Sequence, residues 1–165
     1  MLDRVPESIE PVGLADVGRS FRGEVEVSRL ARLSSLLSDD SGVLKVELRF
    51  DLDERRLRVA RGTIRGQLQL TCQRCMQALP HKLDLGFRLG IVRSEEEIER
   101  LPEGYEPLMA TGETLNTTEV LEDEILLALP AVPLHEPGQG CEMAYENTPG
   151  PKKDNPFSVL EKLKN

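Results

Sequence analysis

From Leu44 to Phe50 the chain alternates strictly: Leu44, Val46, Leu48 and Phe50 are apolar, and Lys45, Glu47 and Arg49 between them are charged. Period two is the period of a β-strand, so one side faces a core and the other faces water. The pattern returns three more times. Asp51 to Glu54 reads as a turn, after which Leu57 and Val59 alternate with Arg56 and Arg58. Beyond Arg61-Gly62, the positions Ile64, Gly66, Leu68 and Leu70 alternate with Arg65, Gln67 and Gln69. Leu83, Leu85, Phe87, Leu89 and Ile91 then alternate with Lys82, Asp84, Gly86, Arg88 and Gly90. Short turns between such strands predict an antiparallel β meander, or a partly closed barrel, with one buried and one wet face.

Around the strands the sequence predicts a few short helices, so the fold class is α+β. Residues 1–18 contain Pro6, Pro11, Gly13 and Gly18 and read as extended or loop. Phe21 to Val27 reads as a strand. Ser28 can cap a short helix that sets Leu30, Leu33 and Leu37 on one face. Asp39-Asp40-Ser41-Gly42 reads as a turn. Residues 95–101 predict a short acidic helix. Asn116 caps a longer one, with Glu119 placed for a capping box. Leu121, Ile125, Ala128 and Leu129 share a face of that helix, Glu122 and Asp123 sit near its start where the dipole favours acids, and Pro130 and Pro133 end it.

The organisation that follows is a single domain over residues 1–135, a flexible linker over 136–155 rich in Pro, Gly and charge, and a docking segment over 156–165. In that last segment Phe157, Leu160 and Leu163 would form the apolar side of one or two helical turns.

Charge divides the chain. The net charge over 165 residues is −8, which for the whole molecule argues against phosphate binding. Yet residues 49–93 hold ten Lys or Arg against four acids, while residues 94–165 hold five against sixteen. A basic middle and an acidic C-terminal part suggest two surfaces with different partners. If Leu and Val face the core, Arg49, Arg56, Arg58, Arg65, Lys82 and Arg88 fall together on the wet face. Guanidinium groups in that arrangement suit phosphate. Phe50 and Phe87 fall on the core side, which removes the aromatics that base stacking needs. Backbone recognition of structured RNA, docking to an acidic protein surface and ordinary solubility all remain compatible with such a face.

Cys72-Gln73-Arg74-Cys75 lies between two strands, and His135 and Cys141 follow far downstream. Three cysteines and one histidine would complete one tetrahedral, structural zinc site. Met76 stands where a glycine often follows the second cysteine of such a knuckle. Reduced, partly buried thiols and a redox pair are the alternatives, the redox pair the weaker because the motif opens no helix of a βαβ unit. Three cysteines, an odd number, make a poor disulfide framework. The first twenty residues carry Asp3, Glu7, Glu10 and Asp16 and no apolar run, so no secretory signal is predicted and the expected compartment is the cytoplasm. No run of about 20 apolar residues suggests a membrane span. The sequence offers no Gly-rich phosphate loop, no nucleophile with an obvious base and no clustered carboxylates, so an enzyme and a small-molecule substrate are not expected.

Four blocks carry a resemblance: Leu70-Thr71-Cys72-Gln73-Arg74-Cys75, Leu101-Pro102-Glu103-Gly104-Tyr105-Glu106-Pro107, the stretch Val120 to His135, and Asn155-Pro156-Phe157-Ser158-Val159-Leu160. In this order, over nearly the whole length, the chain resembles the YceD family of large ribosomal RNA subunit accumulation proteins. The resemblance implies a part in accumulation or processing of large-subunit (23S) ribosomal RNA in bacteria, and in chloroplasts for plant relatives. It supplies no catalytic residue. Expected partners are precursor large-subunit ribosomal RNA, basic ribosomal proteins or other assembly factors. The alternative is a zinc-binding interaction module that acts on ribosome assembly indirectly.

Overall fold

The computed structural model describes residues 5–112, 114–136, 138 and 141. Its centre is a five-stranded sheet in the order β2-β3-β4-β5-β6. The strands are β2 (Ser20–Glu26), β3 (Val43–Leu52), β4 (Arg58–Thr71), β5 (Ala78–Val92) and β6 (Glu106–Met109). β2 to β5 form the expected antiparallel meander. β6 runs parallel to β5 and covers only Leu89 to Val92 of it. Among the described residues the sheet does not close. A second, two-stranded sheet pairs β1 (Ser8–Ile9) with β7 (Leu115–Asn116).

The inner face carries Phe21, Val25, Leu44, Val46, Leu48, Phe50, Ala60, Ile64, Leu68, Leu83, Phe87 and Leu89, all buried in one core. Alternation puts them there, and helices cover them. Those helices are α1 (Pro11–Asp16), α2 (Ala31–Ser34) and α4 (Thr117–Ala128), which contribute Val12, Leu33, Leu121 and Ile125 to the same core. The fourth short helix is α3 (Glu95–Ile98), with three acids in its first turn. Asn116 caps α4 as expected, accepting from the Thr118 N–H at 2.9 Å.

Three expectations fail for physical reasons. Ser28 caps no helix: it lies within a 3-10 turn over Val27–Arg29, and α2 starts one residue after Leu30. Residues 1–18 are not all loop: Pro11 at the first turn, where it forfeits no hydrogen bond, and Glu10, which accepts from the Gly13 N–H, start α1. Nor does Arg61-Gly62 break the chain: β4 runs unbroken over 14 residues. Parity counted back from Ile64 therefore places Ala60 inside and Val59 outside. Val59 is nevertheless fully buried. It lies opposite Gly90, and a Cβ on Gly90 would come within 2.4 Å of Leu101. The segment after α3 thus folds over the outer face and dries one end of it.

Candidate metal centre and outer sheet face

The turn between β4 and β5 is a knuckle. Cys72 donates its N–H to the Gln77 carbonyl and receives on its own carbonyl the N–H of Met76, both at 2.9 Å. Met76 takes φ +59°, the left-handed conformation that a glycine would adopt freely. The turn closes with methionine in that place.

α4 ends before Pro130, and the chain after it returns to this knuckle. The Gln73 N–H donates to the Pro133 carbonyl at 2.9 Å. Nδ1 of His135 lies 3.4 Å from Cys75 Sγ, and Cys141 Sγ lies 3.7 Å from Cys72 Sγ. The four candidate ligand atoms, one each from Cys72, Cys75, His135 and Cys141, all sit within 4.8 Å of one another. Such a cluster could hold a metal ion. The other ring nitrogen of His135 lies 3.2 Å from the Ala78 carbonyl. As a donor there, it leaves Nδ1 with its lone pair toward the sulfurs. Arg74 donates to Cys141 Sγ at 2.9 Å and to the His135 carbonyl at 3.2 Å.

Electrostatics in the cluster favour thiolates unevenly. Burial resists ionisation of Cys72, but N–H groups of Cys75, His135 and Arg74 outweigh it and bring the thiol down to about 5. Burial also resists at Cys141, where the Arg74 guanidinium prevails and lowers the thiol. Cys75 is favoured as thiolate by the Gln77 N–H, yet burial and the two neighbouring sulfurs raise it. The sulfurs of Cys141 and Cys72 raise His135.

The wet face of the sheet is less basic than the sequence suggests. Cα partners across the ladder share a face, and Arg49, Arg61 and Arg88 form one row over β3, β4 and β5. Arg65 and Lys82 lie on the same face, as expected. Arg58 does not: it has inner-face parity and, at the start of β4, reaches Asp16 of α1 at 2.8 Å. Arg56 lies in the β3–β4 turn at φ +60°, on no strand face. Acids intervene as well. Asp51 pairs with both Arg49 and Arg61, Arg65 pairs with Asp84, and Arg22 pairs with Glu47. Arg61, which in the sequence stands between two alternating segments, occupies the centre of the row because β4 is continuous. The docking candidates Phe157, Leu160 and Leu163, like most of 136–155, lie outside the described residues.

The YceD family profile, described as large ribosomal RNA subunit accumulation protein YceD, matches residues 60–164. The chain belongs to the YceD family. It is also 32% identical over 170 residues to the large ribosomal RNA subunit accumulation protein YceD of Haemophilus influenzae, covering 98% of this chain and 97% of that one. The match to the YceD profile spans all four residues of the Cys72–Cys75–His135–Cys141 cluster and all of β5, but not β2 or β3. No solved structure matches. Among the described residues no helix is long and apolar enough to cross a membrane.

Proposed function

We propose that this chain is a non-enzymatic, cytoplasmic factor that promotes accumulation of large-subunit ribosomal RNA, and that one structural zinc ion fastens its C-terminal part to the sheet. The observation that carries the role is the near-complete match to a relative with that name. A strain lacking the gene should show a reduced ratio of large- to small-subunit ribosomal RNA, restored by the gene in trans. An unchanged ratio would remove the role.

Zinc is supported by distance and donor type. Ligands of a tetrahedral zinc with bonds of about 2.3 Å to sulfur stand about 3.8 Å apart, and a sulfur–nitrogen pair about 3.6 Å apart. The Cys72–Cys141 and Cys75–His135 separations of 3.7 and 3.4 Å fall close to these. Three thiolates and one imidazole make a closed, soft donor set with no open position, as suits structure rather than catalysis. Protein purified without chelators should contain about one equivalent of zinc by elemental mass spectrometry, and the Cys72→Ser variant should contain almost none. Less than about a tenth of an equivalent in the parent protein would sink this part.

How the factor reaches its target has two readings. Direct RNA contact through the outer face rests on Arg88 and Lys82, which have no carboxylate partner among the described residues, together with the row Arg49-Arg61-Arg88. An interaction module that acts through proteins is favoured by the ion pairs that neutralise Arg22, Arg49, Arg61 and Arg65. Crosslinking of the tagged protein in cells followed by sequencing of attached RNA separates them. Focused recovery of large-subunit precursor supports contact; recovery no better than from an untagged control supports the protein route.

A further inference from the structure

β5 is 15 residues long and β6 is four, so β6 pairs with only the last part of the β5 edge. The Val92 carbonyl accepts from the Ala110 N–H on that side, and the Ala78 carbonyl meets His135 there. Backbone groups of a strand alternate between its two edges, so those of Lys82, Asp84, Gly86 and Arg88 also point outward. Those of Lys82, Asp84 and Gly86 have no backbone partner beyond β4 among the described residues, whereas Arg88 stands at the start of the β6 ladder, next to the Leu89–Glu106 pair. Pro80 has the same parity, and its missing N–H is lost on the open side, where proline costs a sheet nothing. All five of these residues are exposed. Beside the edge opens a groove of about 890 Å³, walled by Arg61 and Arg88 on one side and by Phe87 and exposed Leu127 of α4 on the other.

We propose that this edge pairs with the same edge of a second copy of the chain, so that two five-stranded sheets become one. An open strand edge is a template for another extended backbone. A twofold axis through one strand edge makes the new pair antiparallel. With the axis at Leu83, Lys82 lies opposite Asp84 of the partner subunit and Asp84 opposite the partner's Lys82. Leu83 then meets its own copy, and Phe87 lies opposite the partner's Leu79. The strand is complementary to itself in both charge and apolar side, which is the argument for a second copy over an unrelated peptide.

The test is the mass of the full chain in solution by sedimentation equilibrium across a range of concentrations. The parent protein should be a concentration-dependent dimer. Lys82→Asp sets like charges opposite each other twice, as does Asp84→Lys, and each should weaken the dimer about tenfold. Both side chains are exposed, so the fold survives. Mixed in equal amounts, the two variants restore both opposite-charge pairs and should form a heterodimer. A parent protein that stays monomeric at about ten times the concentrations used for binding assays overturns the proposal. A dimer indifferent to both variants also overturns it, and assigns the contact to another surface. A monomer whose β5 amides are nonetheless protected from hydrogen exchange overturns it in favour of a segment of the same chain.

Discussion

Glu122 of α4 grips Arg32 of α2 from 90 residues away, its Oε1 accepting the Arg32 N–H at 2.7 Å and its Oε2 the Arg32 Nε at 2.9 Å. Oε1 also accepts the Leu33 N–H at 3.1 Å. A carboxylate on one helix therefore caps the first turn of another, supplying the acceptor that no residue near Leu30 provides. Burial opposes this charge, but the Leu33 N–H, the Arg32 guanidinium and the Arg32 N–H together lower the carboxyl below its usual range. Removing the acceptor leaves two N–H groups of α2 unpaired, that of Leu33 in a buried place and that of Arg32 in a partly buried one. Glu122→Ala should cost about 2–4 kcal/mol in urea unfolding. Asp123→Ala, which removes only an exposed ion pair to the same arginine, should cost less than about 1 kcal/mol. Equal losses would refute the capping role.

Glu124 carries the opposite shift. It is buried beside Glu106 and Asp123, and burial first, then the two acids, push its carboxyl up to about 7. In the unfolded chain the same group titrates at its ordinary value, so between those two points the folded protein holds a proton that the unfolded chain has released. Stability from this group is therefore complete below the lower value and lost as pH rises through about 7. Unfolding free energy of the parent protein should fall from pH 5 to pH 8 by about 1–3 kcal/mol more than that of Glu124→Gln. Parallel pH profiles for the two proteins would contradict this.

At the knuckle, Met76→Gly should stabilise. A side chain at φ +59° costs about 1–2 kcal/mol, and glycine returns about half of that as extra freedom of the unfolded chain. The expected net gain is about 0.5–1 kcal/mol by thermal unfolding with the metal state held fixed. A net destabilisation would mean that exposed Met76 packs well enough to outweigh its backbone strain.

Gly62 is a packing constraint in the middle of β4. A Cβ there would come within 2.1 Å of Phe87 Cζ, and the ring is buried against the core. Gly62→Ala should destabilise by about 1–3 kcal/mol. The double variant with Phe87→Leu should recover part of that loss, which a purely conformational cost of alanine would not allow.

The outer face makes a separate prediction about RNA. Arg49→Glu, Arg61→Glu and Arg88→Glu combined should weaken retention of large-subunit precursor RNA. They should also flatten its salt dependence by about one unit of slope for each phosphate that is no longer neutralised. Arg56 and Arg58 changed together should have a much smaller effect, because neither stands on that face. The reverse ranking would place the RNA elsewhere.

The sequence alone determined the sheet. Period-two alternation is a local property, and it marked β3, the inner set of β4 and most of β5; the sequence also pointed to the cap of α4 at Asn116 and to the three cysteines and one histidine that the fold gathers into one cluster. The family, too, was legible from four sequence blocks. Tertiary structure decided what alternation cannot carry. Arg61-Gly62 looked like punctuation, yet Phe87 fills the space above Gly62 and the strand continues, which moved Val59 outside and Arg58 inside. Sign also depends on neighbours: Asp51 and Asp84 neutralise arginines on the outer face because cross-strand register brings them together. The Arg32–Glu122 cap and the closure of His135 and Cys141 onto Cys72 and Cys75 join residues about 60 to 90 positions apart. No local pattern encodes such long-range pairings, because their geometry is set only once the core has packed.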